Sequence, residues 1–231
     1  MTPNNRRSPL FGFVTAAALA LLPVAAEATI ARAVTFDEKV ERAAAIVYGE
    51  CIKTESRWDA SRSSIVTYST FRVEKSMKGA PAQQITIVTP GGSIDGVHQS
   101  SIGIPSFDEG AQHVLFVRNT AVGPTVLYAD QGAYDVIDDG REKIVRPVAS
   151  EAVRVDTQRG MAVAPEEART LRSFETAVQS SVRQGVRNRM EIIQEKKRRE
   201  SSFWAQMNAN RGLVALAIVG IALATWRLLK R

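Results

Sequence analysis

The chain has 231 residues, 45% of them hydrophobic and 23% charged, which suits one ordinary domain with special segments at both ends. Its net charge of +6 is unevenly spread: residues 29–164 hold 15 Lys and Arg against 17 Asp and Glu, whereas residues 165–231 hold 13 against 6. The basic character belongs to the tail, so the body lacks the positive balance that nucleic-acid binding requires, and no nucleic-acid partner is expected.

Residues 1–28 follow the pattern of a secretory signal peptide. Arg6 and Arg7 precede an apolar run over 10–22, Pro23 breaks it, and Ala26-Glu27-Ala28 is a small-x-small cleavage site. The single cysteine, Cys51, allows no intramolecular disulfide. Its surroundings, Ile46-Val47-Tyr48-Gly49-Glu50-Cys51-Ile52, have the character of a core strand, which favours a small buried apolar side chain. An intermolecular disulfide is the alternative.

Thr35 and Glu38 form a capping box, and a short helix is expected from there to about Ala43. Residues 44–54 are the first strand, with Gly49 a bulge candidate, and 55–63 a polar loop carrying Trp58. Thr67, Ser69, Phe71 and Val73 alternate with Tyr68, Thr70 and Arg72, the signature of a half-buried strand. A turn at Lys78-Gly79-Ala80-Pro81 leads into the β-branched run 84–89. This is the central hairpin of a small barrel or sandwich.

Residues 90–112 form a connection too long to be mere linkage in a compact domain. It supplies the candidate binding residues Gly91, Gly92, Ile94, Val97, His98 and Phe107, with Ile102 and Ile104 adding apolar surface. Apolar groups clustered on a surface mark a contact site; in the competing reading, Ile102, Ile104 and Phe107 tuck back and cap the open end of the barrel. Residues 113–117 are a strand buried on both faces. Further strands fall at 125–128, 132–137 and 143–145, the last two joined by an Asp138-Asp139-Gly140-Arg141 turn. The expected fold is mainly β: a small Greek-key, OB-like barrel of about six strands with a short N-terminal helix, spanning 29–164.

Pro165 opens a long helix in this reading, with Glu166 and Glu167 in its first turn. Leu171, Phe174, Val178, Val182, Val186 and Met190 make one narrow apolar stripe along 165–200. Either the stripe packs on the body, or its second half pairs between chains. Gly185 is expected to interrupt the helix. Residues 201–211 form a juxtamembrane linker, and 212–229 a single C-terminal transmembrane anchor, with Gly212 to Trp226 free of charge. Five Lys and Arg precede this segment within 196–211 and three follow it. That balance opposes the topology the signal peptide imposes, and the signal peptide acts first. The body is therefore expected on the extracytoplasmic side of a cell membrane.

No motif demands a particular chemistry. Two histidines, His98 and His113, fall short of a zinc ligand set, and neither a nucleophile elbow nor a phosphate loop is present. No catalytic residue, metal or cofactor is assigned.

The succession of parts resembles the netrin/TIMP-like modules, which are barrels of the OB type. The similar features are the capped helix before the first strand, Tyr68-x-x-Phe71-x-Val73 running to Lys78-Gly79, the run Ile85-Thr86-Ile87, the Gly91-Gly92 loop, and Glu109-Gly110-x-x-His113-Val114-Leu115-Phe116. Gln131-Gly132-x-Tyr134-x-Val136 is similar to a strand of many secreted bacterial domains. The resemblance covers about 35–183 and implies an OB-type fold. It implies no inhibitory residue, because those inhibitors chelate a protease metal through an N-terminal cysteine and this chain's cysteine lies inside a strand. The expected function is a membrane-anchored extracytoplasmic module that recognises a protein or a cell-envelope component. The alternatives are an enzyme or enzyme accessory acting through the 90–112 loop, and a structural envelope protein.

Overall fold

The computed structural model describes residues 29–150 and 152–230; the expected signal peptide lies outside them. In chain order the first strands are β1 (Ile30–Arg32), β2 (Ala45–Trp58), β3 (Ile65–Lys78), β4 (Gln84–Pro90), β5 (Gly92–Ile94) and β6 (Val97–Gln99). Then come β7 (Gln112–Thr120), β8 (Gly123–Val126), β9 (Ala133–Asp138), β10 (Lys143–Pro147), β11 (Val153–Asp156), β12 (Met161–Ala162) and β13 (Arg169–Thr170). The helices are α1 (Phe36–Arg42), α2 (Leu171–Ala209) and α3 (Arg211–Leu229). The protein is mainly β with one long helix.

Two units separate. In the smaller, β1 pairs in parallel with β11, and β11 pairs antiparallel with β12. The larger unit, Val34–Ala149 with the residues from Pro165 onward, holds the main sheet in the order β4-β3-β2-β7-β9-β10-β13, with β8 also on β7. One edge of β7 pairs with β2, while the other pairs with β9 through its first half and β8 through its second. The sheet curls until β8 meets β4, where a Cβ on Gly123 would lie 3.1 Å from Val88 Cγ2. No ladder joins β4 to β8, so the barrel is not closed among the described residues.

Alternation along the strands divides the core in two. Ile46, Tyr48, Val114 and Phe116 point to one face, together with Tyr134, Val145, Phe174 and Val178. Val47, Cys51, Phe71, Ile87, Leu115 and Val117 point to the other. Residues 113–117 are buried throughout, as a strand with two covered faces must be. Gly49 sits at a register shift between β2 and β3, where a Cβ would come within 2.4 Å of Arg72 O; only glycine fits that bulge. Cys51 is fully buried, as expected for an inert thiol.

Local signals set α1. Thr35 accepts a hydrogen bond from Glu38 N at 3.2 Å, closing the N-terminus. The C-terminus is closed from a distance: Lys78 Nζ donates to the carbonyl oxygens of Val40, Glu41 and Ala43 at 2.6, 2.9 and 2.7 Å.

The structure corrects several boundaries. The strand β2 runs on to Trp58, so residues 55–58 of the expected 55–63 loop are paired with β3. Thr170, not the Pro165 region, starts the long helix: its side chain accepts from Ser173 N at 3.1 Å, while Arg169 and Thr170 pair with β10. Glu166 is drawn into a part-buried ion pair with Lys39 instead of a first helical turn. The helix runs through Gly185 without interruption and through the expected 201–211 linker as far as Ala209. Among the described residues, no helix is long and apolar enough to cross a membrane. The uncharged stretch between Arg211 and Arg227 is 15 residues, about 22 Å of helix against a bilayer core of about 30 Å.

Candidate functional site

The Gly91-Gly92 turn follows β4 and opens the short hairpin β5–β6. Gly91 N donates to Ile65 O at 2.8 Å, which ties the turn to the start of β3. Both glycines have positive φ, 97° and 136°. A Cβ on Gly92 would fall 2.3 Å from Ser56 Oγ and 2.4 Å from Thr67 Oγ1, so only glycine lets the chain pass this close to the two hydroxyls. Those hydroxyls lie 2.9 Å apart, and Thr67 Oγ1 donates to Gly91 O at 2.6 Å. Gln99 turns back and accepts from Ile65 N at 2.6 Å.

These contacts frame a cleft of about 330 Å³ between the inner face of the hairpin strands and the 90–107 loop. The strands contribute five hydroxyls, those of Thr54, Ser56, Thr67, Ser69 and Thr89. The loop contributes Ser100, Ser101 and Ser106, and Ile104, Pro105 and Phe107 provide an apolar wall. Period-two alternation explains the hydroxyl row. Thr67 and Ser69 share a strand face with Phe71, so the same pleat that fills the core with Phe71 carries hydroxyls to its open end. Ser69 and Thr89 are buried, yet both line the cleft.

Of the residues singled out by sequence, Gly91, Gly92, His98 and Phe107 line this cleft together. Ile94 and Val97 pair with each other at the tip of the β5–β6 hairpin and do not line it. His98 is exposed, and its Nδ1 lies 2.7 Å from Ser93 Oγ. This is a cross-strand pair imposed by the Ser93–His98 register of an exposed hairpin. Phe107 belongs to the interior: it is buried, edge-on to Phe71 at 5.1 Å and to His113 at 5.0 Å. Ile102 stays exposed and Ile104 is half-buried at the cleft, so the loop caps the core with Phe107.

His113 forms the floor behind Phe107. Its Nδ1 is 3.4 Å from Asp135 Oδ1, within electrostatic reach but misaligned for a hydrogen bond. The imidazole beside it, with Arg146 in support, holds the Asp135 carboxyl below the ordinary carboxylate range. Among the described residues, no group of three His, Cys, Asp or Glu is placed to hold a metal ion.

Sequence reading missed a second polar cluster, on the opposite face. Lys39 is 2% exposed, and its Nζ donates to Gln131 O at 3.1 Å, to Tyr134 OH and to Glu166 Oε1. Tyr134 OH donates in turn to Glu166 Oε2 at 2.8 Å. The ammonium also sits 4.9 Å from the Tyr134 ring centroid. This is a part-buried ion pair whose hydrogen bonds are met by neighbours from three segments. Its groups satisfy one another, which fits a structural role. Only a lysine on the apolar side of a short amphipathic helix hinted at it.

No known family, curated protein or solved structure matches the chain.

Proposed function

We propose that the protein is a membrane-associated extracytoplasmic recognition module whose partner, a protein or cell-envelope component, is engaged at the hydroxyl-lined cleft. The observation that carries this reading is the convergence of Gly91, Gly92, His98 and Phe107 with eight Ser and Thr side chains on one concavity of about 330 Å³. That volume lies at the low end of the ~300–1,000 Å³ typical of ligand sites. In this reading the body is an OB-like, partly open barrel in which β2, β3, β4, β7 and β8 curl around the inner core. The 90–107 loop stands where a ligand would enter. Support for membrane attachment comes from α3, which is apolar around its circumference and exposes Leu216, Ile218, Ile221, Leu223, Leu228 and Leu229. Spanning a bilayer requires Arg227 to snorkel toward an interface.

The test is capture from a detergent-solubilised envelope fraction, comparing the full-length chain with a variant whose residues 93–104 are replaced by Gly and Ser. The variant is expected to lose a partner that the natural chain retains. If a folded variant recovers the same set, the loop is only a cap and the reading fails.

A further inference from the structure

We propose that the cleft takes a neutral polyhydroxylated ligand, a segment of uncharged glycan, an inference that rests on reading the cleft as the recognition site. Three properties of the lining converge on this class.

The first is charge. Among the described residues that line the cleft there is no Asp, Glu, Lys or Arg, and His98 is the only titratable side chain. A charged group entering a partly buried site without a counter-charge loses hydration that nothing replaces. An anionic or cationic ligand would therefore be admitted poorly.

The second is the kind of polar group presented. A Ser or Thr hydroxyl both donates and accepts, as a sugar hydroxyl does, so each can adapt to either role in a ligand of alcohols. A peptide asks for something different: a row of free backbone N–H and C=O groups along a strand edge. Here β3 is bonded on both sides, to β2 and to β4, and the cleft lies over the strand faces. Side-chain hydroxyls, not backbone edges, meet the ligand. Ser100, Ser101 and Ser106 are the exposed members of this lining, where a ligand alcohol can reach them.

The third is the apolar wall. Half-buried Ile104 lines the same concavity, with the buried Pro105 and Phe107 beside it. A pyranose ring has the matching division, with hydroxyls around its rim and C–H groups on its faces.

The experiment uses the full-length chain in detergent micelles and isothermal titration with four probes. Three are neutral tetrasaccharides: β-1,4-linked N-acetylglucosamine, β-1,4-glucan and α-1,4-glucan. The fourth is an anionic tetragalacturonate. At least one neutral probe is expected to bind, and the anionic probe at least tenfold more weakly. Thr89→Val keeps the shape and removes a hydroxyl, and it should weaken binding about fivefold, the worth of one hydrogen bond. Because Ser69 and Thr89 are buried, the pair Ser101→Ala and Ser106→Ala at the exposed lip gives a second measure that does not depend on core packing, with a loss of similar size. The absence of binding by all three neutral probes overturns the proposal, as does binding that every lip and cleft variant leaves unchanged. Preferred binding of the anionic probe, abolished by the same variants, overturns the ligand class while the recognition reading survives. If no probe binds and the 93–104 replacement also captures the natural set of partners, both fail together.

Discussion

The two faces of the main sheet are closed by different means, and the difference separates stability from function. One face is closed by helices. Phe36, Phe116, Tyr134 and Phe174 interlock with centroid spacings of 4.9–6.2 Å, Val178 is fully buried, and Lys39 with Glu166 ties α1 to the segment before α2. The other face is closed by a loop. Phe107 plugs it against Phe71 and His113, but the plug is one side chain, and the space beside it stays open as the hydroxyl-lined cleft. A helix covers a sheet with a continuous stripe and leaves little room. A loop covers it with single anchors and leaves concavities between them, which is why binding sites gather on loops held by rigid scaffolds.

The comparison breaks if the helical face turns out to be dispensable. Phe174 is 1% exposed and touches three other aromatic rings, so Phe174→Ala removes a large core side chain from a site walled by rigid elements. The expected loss is about 4 kcal/mol. Urea denaturation of the full-length chain followed by circular dichroism reads it directly. A loss below about 1 kcal/mol would mean that α2 does not dock on the sheet.

Phe107→Ala sharpens the same comparison. It deletes another buried ring, but one carried by a segment that can settle into the gap, and the cost of such deletions depends on how far a site collapses. A loss of about 3 kcal/mol is expected, smaller than for Phe174. The telling readout is the cleft: Ser106 flanks this residue, and Thr54 Oγ1 donates to Phe107 O at 3.2 Å. Hydrogen exchange should therefore rise across 100–108 in the variant while α1 and the docked part of α2 stay protected. Equal loss of protection on both faces would show that the two closures are one cooperative unit.

Much of the sheet was legible because its signals are local. The N-cap at Thr35, the alternation through Ser69 and Phe71, the bulge glycine at 49 and the turn at Gly140 each act within a few residues. What escaped was set at long range. Glu166 looked like a first-turn helix acid, but its partner Lys39 lies 127 residues earlier, and the pair, with the pairing of 169–170 onto β10, delays the helix to Thr170. Strands of two to four residues, such as β1, β11, β12 and β13, are too short to show a period. For the site, the glycines and His98 were visible as a glycine-rich loop. The hydroxyls of Thr54 and Ser56 were not, because the strand was expected to end at Thr54, with Ser56 in a loop. Phe107 was visible as an apolar loop residue, with nothing local to say whether it points in or out.

The smallest expected effect tests where the helical closure ends. Leu171, Phe174, Val178, Val182, Val186 and Met190 form one stripe by spacing, but the structure divides it: Phe174 and Val178 are buried, whereas Val186 is 57% and Met190 55% exposed. The helix is 39 residues, about 58 Å, so its second half extends well past the side chains that pack on the core. Val186→Ala and Met190→Ala together should change the stability of the monomer by less than about 0.5 kcal/mol, as for exposed positions elsewhere. Alanine's higher helix propensity offsets part of the lost burial at Val186. The alternative is that Val182, Val186 and Met190 pair between chains. In that case the same double variant should lower the melting temperature by an amount that grows with protein concentration, since association stabilises by mass action. Melting curves of both proteins across a hundredfold dilution decide it. A concentration-independent difference near zero leaves the helical face ending at Val182, and a concentration-dependent one extends it across an interface between two chains.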